Sequence, residues 1–258
     1  MLRWLIAIII TLAAAYYQRA TGPTYPLKGS FVLEGQNLTF RLDRSHESDS
    51  DQPVTLRIPN PNVGGEVQWR RFPTQEAWQT LPMRRDGDTL QAVLPKQPPA
   101  GKLEYVVLLK NGATQIRLPE QGAVVTRFKG KVPGAFLIPH ILFMFAAMLL
   151  SVRTGLEGLR PNGRLRAYAW ATTITLFVGG MILGCIVQKY AFGAYWTGVP
   201  FGIDLTDNKT LIALLGWVAA TVAVEKNRHA KFWTITAAFL LLAVYAIPHS
   251  LFGSELKY

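Results

Sequence analysis

Residues 133–152 read PGAFLIPHILFMFAAMLLSV, twenty positions without one charged side chain. A helix of that length rises about 30 Å, which is the thickness of a bilayer's hydrocarbon core. Inside the run stands the phrase Ile138-Pro139-His140-Ile141-Leu142-Phe143, which returns near the end of the chain as Ile247-Pro248-His249-Ser250-Leu251-Phe252. A proline inside a membrane helix removes one backbone hydrogen bond and frees a carbonyl a turn earlier. An ionisable side chain at that depth costs a few kcal/mol unless a partner compensates it. The repeated phrase therefore marks two positions that invite a shared ligand.

Working outward, four further apolar runs occupy residues 2–17, 167–187, 210–224 and 232–251. They predict a membrane α-helical bundle of five transmembrane helices. The first run is short, follows Arg3 and contains the small residues Ala13 to Ala15, as a secretory leader does; it is expected to remain as an anchor over residues 1–18. The helical domain is expected over residues 132–258, with a loop at 188–209. Half of the residues are hydrophobic and the mean hydropathy is +0.18, because these runs share the chain with a polar segment.

That segment, residues 19–131, alternates apolar and polar residues over short runs. Strands are predicted at 31–33, 38–42, 54–58, 66–70, 90–94, 103–109, 114–118 and 124–128. Asp86-Gly87 and Asn111-Gly112 supply hairpin chemistry. The pattern predicts an all-β sandwich of immunoglobulin or fibronectin type. No nucleophile and base stand at matched positions, and His46, in the polar stretch 45–51, is read as a solvated loop residue.

Basic residues set the expected orientation. Arg153, Arg160, Arg164 and Arg166 follow the second run, and Lys226, Arg228 and Lys231 follow the fourth. The positive-inside rule puts both loops and the N-terminus in the cytoplasm, and the β domain, the 188–209 loop and the C-terminus outside a bacterial-type inner membrane. His229 lies among the inner basic residues as a solvated anchor. The segment 19–131 holds 16 Lys and Arg against 11 Asp and Glu, so the net charge of +11 is spread over both faces. No basic run is interleaved with aromatics, which argues against nucleic acid as a partner.

Both histidines fall in the outer leaflet, His140 about 10 Å below its helix end and His249 within a turn of its own. Imidazole is a common iron and metal ligand. The single cysteine, Cys185, leaves no disulfide, no thiolate cage and no Cys-x-x-Cys-His site for covalent heme. The loop near them contains Phe192-Gly193-Ala194-Tyr195-Trp196, then Gly198, Gly202, Asp204 and Lys209-Thr210, with Trp217 in the next helix and Gly179, Gly180 and Gly184 in the preceding one. These residues resemble the tryptophan-rich signature of the heme-handling membrane proteins of cytochrome c assembly, over about 90 residues from the third helix onward. In that family a Trp-Gly-x-x-Trp-x-Trp-Asp segment lies on the outer face between heme-ligating histidines; here Phe192 stands at the first tryptophan.

The resemblance implies a noncovalent b-type heme with His140 and His249 as axial ligands, under a surface of Phe192, Gly193, Tyr195 and Trp196. Its expected role is heme handling or electron transfer with a protein partner on the outer face, a cytochrome or the subunits of a complex. Two alternatives stay open: a non-catalytic accessory subunit of a larger membrane respiratory complex, and a copper or zinc site at the same histidines, completed by Asp204 and Glu255.

Overall fold

A computed structural model describes residues 1–161, 163–248 and 256. Two compact units divide it: Met1–Pro23 with the helices that follow Val132, and Thr24–Lys131. Leu256 belongs with the second unit, donating its amide hydrogen to the Ala100 carbonyl at 3.3 Å.

The second unit is a β-sandwich. Its strands are β1 (Leu27–Leu33), β2 (Gln36–Leu42), β3 (Ser45–Glu47), β4 (Gln52–Arg57), β5 (Gly64–Arg71), β6 (Gln79–Pro82), β7 (Arg84–Asp86), β8 (Thr89–Leu94), β9 (Lys102–Asn111), β10 (Thr114–Leu118) and β11 (Val124–Lys129). One sheet runs β3-β11-β9-β5-β6 with β10 added on β9, another runs β4-β8-β7, and β1 and β2 form a separate hairpin. Alternation explains the faces: Val54 and Leu56 of β4 and Leu90 and Leu94 of β8 are buried while their neighbours are exposed. Central β9 is buried from Tyr105 through Leu109, since it is paired on both edges.

Three strands escape the sequence pattern. β3, β6 and β7 are short and polar, and exist because longer strands offer them an edge. β3 is the clearest case, pairing in parallel with β11. His46 is accordingly a strand residue and not a loop residue, half-buried edge-on to Phe128 at 6.0 Å and bonded to Ser50 Oγ at 3.1 Å. In the β7–β8 and β9–β10 hairpins the two-residue loops are Gly87-Asp88 and Gly112-Ala113, each led by a glycine at positive φ. The β1–β2 turn, Glu34-Gly35, has both residues at positive φ.

Within this core lies Tyr105, whose hydroxyl donates to the Asp43 carbonyl at 2.8 Å. Burial, reinforced by the Asp43 charge, pushes the phenol well above its ordinary range. Burial also lowers the nearby Arg44 guanidinium.

The first unit contains α1 (Leu2–Ala20), α2 (Gly134–Gly158), α3 (Leu165–Leu176), a π-helical segment (Phe177–Leu183), α4 (Gly184–Phe192), α5 (Leu205–Glu225) and α6 (Ala230–Ala246). α3, the π segment and α4 form one rod. Among the described residues three helices are long and apolar enough to cross a membrane: Gly134–Gly158, Leu165–Phe192 and Leu205–Glu225. α6 is apolar but has 17 residues. The expected crossings by α1 and α6 therefore do not follow from length and composition within the described residues.

Small residues set the helix spacing. A Cβ on Gly155 would sit 2.7 Å from Ala238 Cβ, and one on Gly216 2.8 Å from Leu240, so α2 and α5 approach α6 closely. Hydroxyl pairs add polar links: Thr154 with Thr172 at 3.2 Å, Thr173 with Thr221 at 2.7 Å. Fully buried Trp217 donates to Ser151 Oγ at 3.2 Å.

Chain direction alternates, giving the bundle two ends. At one, Gln18 donates to the Tyr245 carbonyl at 2.9 Å, and Phe136 of α2 stacks on Tyr190 of α4. At the other, Arg153 lies over the rings of Trp4 and Tyr168, and Arg166 pairs with Glu225.

Candidate functional site

His140 lies two turns into α2, one residue after Pro139, and is half-buried. Its Nδ1 is 2.9 Å from the Gly179 carbonyl. A carbonyl only accepts, so Nδ1 carries the proton, and in the neutral ring Nε2 keeps its lone pair. This carbonyl belongs to the π segment. Gly184 N–H reaches back five residues to Gly179 O, and the oxygen's second lone pair takes the imidazole. Single π turns inside α-helices are frequent at functional sites. Beside the ring runs the Gly184 backbone; a Cβ there would lie 3.6 Å from His140 Cε1.

The other predicted residues hold local positions. Gly193 is the left-handed residue after α4, at φ 86°, and its carbonyl accepts from Lys189 Nζ at 2.8 Å. Tyr195 is largely exposed, with the Lys189 ammonium 5.4 Å from its ring centre. Trp196 donates Nε1 to the Val199 carbonyl at 3.1 Å. Phe192 ends α4, half-buried. His249 and Glu255 lie outside the described residues, so no geometry joins them to His140 or to Asp204.

Four glycines of the resembling stretch make close internal contacts. A side chain on Gly198 would collide with Asp207 Cβ and Asn208 Oδ1, and one on Gly202 with the Thr197 carbonyl. Gly179 packs against Phe143 and Met144, and Gly180 against Thr210.

What sequence reading missed is a polar clasp around Asp207. Its Oδ2 accepts from Thr197 N at 2.6 Å, Gly198 N at 3.0 Å and Gln188 Nε2 at 2.9 Å, which ties the loop to α4 and α5. Asp204 caps α5, accepting from Thr206 N at 2.8 Å and Asp207 N at 3.4 Å. The signal was present: Asp204 followed by Thr206 and Asp207 is start-of-helix chemistry. Lys209, one turn into α5, is buried, and Nζ donates to the Ile247 carbonyl left open where α6 stops before Pro248. Its stem lines a cavity of about 30 Å3 with Met144, Met148, Thr210, Leu241 and Tyr245. That volume suits one or two waters, not a macrocycle.

The chain matches no family model, no curated protein and no solved structure.

In the neutral ring, Nε2 of His140 is thus a pre-oriented lone pair. It fits an iron or other metal as one ligand, and any macrocycle bound there has to lie outside the Lys209 cavity.

Proposed function

We propose that the chain is an integral membrane protein holding a noncovalent b-type heme near one membrane face, with His140 as one axial ligand and His249 as the other. The observation that carries the reading is the His140 Nδ1 bond to Gly179. Ligating histidines characteristically donate their second nitrogen to a carbonyl or carboxylate, which fixes the tautomer and orients the ring. When bound, the heme would supply a one-electron couple or would itself be the cargo. The protein's part is to hold the imidazole oriented, to tie the 193–204 loop through Asp207, and to offer the exposed Tyr195 and the half-buried Phe192 and Trp196 at that loop. The tryptophan-rich resemblance supports heme handling or electron exchange with a protein partner outside.

The same reading has all five helical rods spanning a bacterial-type inner membrane, with the N-terminus inside. Its support is the alternation of chain direction and the gathering of Arg153, Arg160, Arg164, Arg166, Lys226, Arg228 and Lys231 at one end. The β unit then lies outside. Its sheet orders, β4-β8-β7 and β11-β9-β5, support an immunoglobulin-type sandwich, and docking of the outer partner is the role proposed for it.

An absorption spectrum of full-length protein, made in heme-replete cells and purified in mild detergent, tests the reading. A Soret band with a low-spin reduced spectrum is expected. Absence of any Soret band overturns it in favour of an accessory subunit whose His140 only ties α2 to the π segment.

A further inference from the structure

At the end of the bundle away from His140, an open groove of about 660 Å3 runs between the α2–α3 loop and the α5–α6 loop. Arg164, Arg166, Trp170, Asn227 and Ala230 line it, over an apolar wall of Leu165, Ala167 and Val224. Both carboxylates nearby are already committed. Glu157, buried, accepts from Arg153 Nη1, from Arg160 Nη1 at 3.0 Å and from Arg164 N at 3.2 Å. Glu225 Oε1 accepts from Arg166 Nε at 2.8 Å and Trp170 Nε1 at 2.7 Å. The side chains of Arg164, Lys226, Arg228 and Lys231 are exposed and form no ion pair among the described residues. The local acids are neutralised and a surplus of cations remains.

We propose that this groove binds the headgroup of an anionic phospholipid. The shape and chemistry suit an amphiphile better than a free anion: a guanidinium rim beside an apolar wall, with Trp170 held by its indole N–H and its ring exposed. A basic pocket between membrane helices on the cytoplasmic side is the usual setting for such headgroups. Aromatic rings gather at the same level of the bilayer. The inference rests on the spanning reading above, and on that reading the groove lies at the cytoplasmic leaflet.

The test uses full-length protein in neutral detergent, titrated with phosphatidylglycerol, with phosphatidylcholine and with inorganic phosphate. Thermal midpoint and lipid retention in native mass spectrometry are read. Phosphatidylglycerol is expected to raise the midpoint and to stay bound, while phosphatidylcholine and phosphate do neither. Arg164→Gln should weaken the preference about fivefold, as for one basic residue at an anionic surface. Ala167→Glu, at an exposed position on the wall, should abolish the preference while leaving the lipid-free midpoint unchanged. Arg84→Gln, in β7, serves as the charge control and should behave as wild type. Equal response to both lipids, a response reproduced by phosphate, or indifference to Arg164→Gln and Ala167→Glu overturns the proposal. Alkaline carbonate washing of membranes separates the two readings: a chain that washes off refutes spanning, whereas a retained chain without lipid preference refutes only the groove.

Discussion

His140 gives the sharpest case at the scale of single residues, because one hydrogen bond decides which of its nitrogens can act. If the histidine is an axial ligand, His140→Ala should abolish the low-spin spectrum. His140→Met should retain heme with a shifted potential, since axial-ligand identity is a main control on that potential. A spectrum unchanged in both variants would remove His140 from the site. Asp207 makes a different prediction. Asp207→Ala removes the oxygen on which three donors converge, leaving buried N–H groups unpaired at a cost of about 1–3 kcal/mol. The thermal midpoint in detergent should fall, with protease sensitivity rising in the 193–204 loop.

Tyr105 predicts a pH response of the β unit. Its folded-state pKa is raised, so its contribution to stability is complete below the unfolded value of about 10 and is lost as pH rises above it. Urea unfolding of wild type should weaken above pH 10 by up to about 1.4 kcal/mol per pH unit from this group. Tyr105→Phe should remove that component. At pH 7 it should cost about 0.5–1.5 kcal/mol, because the Asp43 carbonyl still accepts from Gln52 at 3.1 Å. A variant with the same alkaline slope as wild type would contradict the assignment.

Elements in the helical unit are spaced by glycine contacts, and those contacts are where a single methyl matters. Gly155→Ala brings a Cβ to 2.7 Å from Ala238 on α6, so a helix backbone must move. Overpacking of this kind costs about 1–3 kcal/mol. The expected result is a lower melting midpoint; pairing it with Ala238→Gly, which reopens the space, should recover part of the loss. The π segment is likewise an element-scale device. It shifts the ladder from four to five residues at Gly179, whose carbonyl also meets His140.

At the scale of the whole molecule, the β unit has its own continuous core, from Leu33 to Phe128, so a soluble fragment of residues 24–131 should fold alone. A β-type circular dichroism spectrum with a cooperative melt is expected; a helical or unfolded spectrum would overturn the division. Eight of its strands and three membrane-capable helices were legible in the sequence, because alternation and apolar runs are local records of which surface leaves water. The strands β3, β6 and β7, the in-strand position of His46 and the duties of Gly179, Gly184, Gly198 and Gly202 were not. The tertiary structure decided these, since each depends on a partner that residue type does not name, in the clearest cases one far along the chain: Phe128 beside His46, Gly179 beside His140. Burial can be read from one residue's type, whereas pairing and close approach exist only once two distant segments meet.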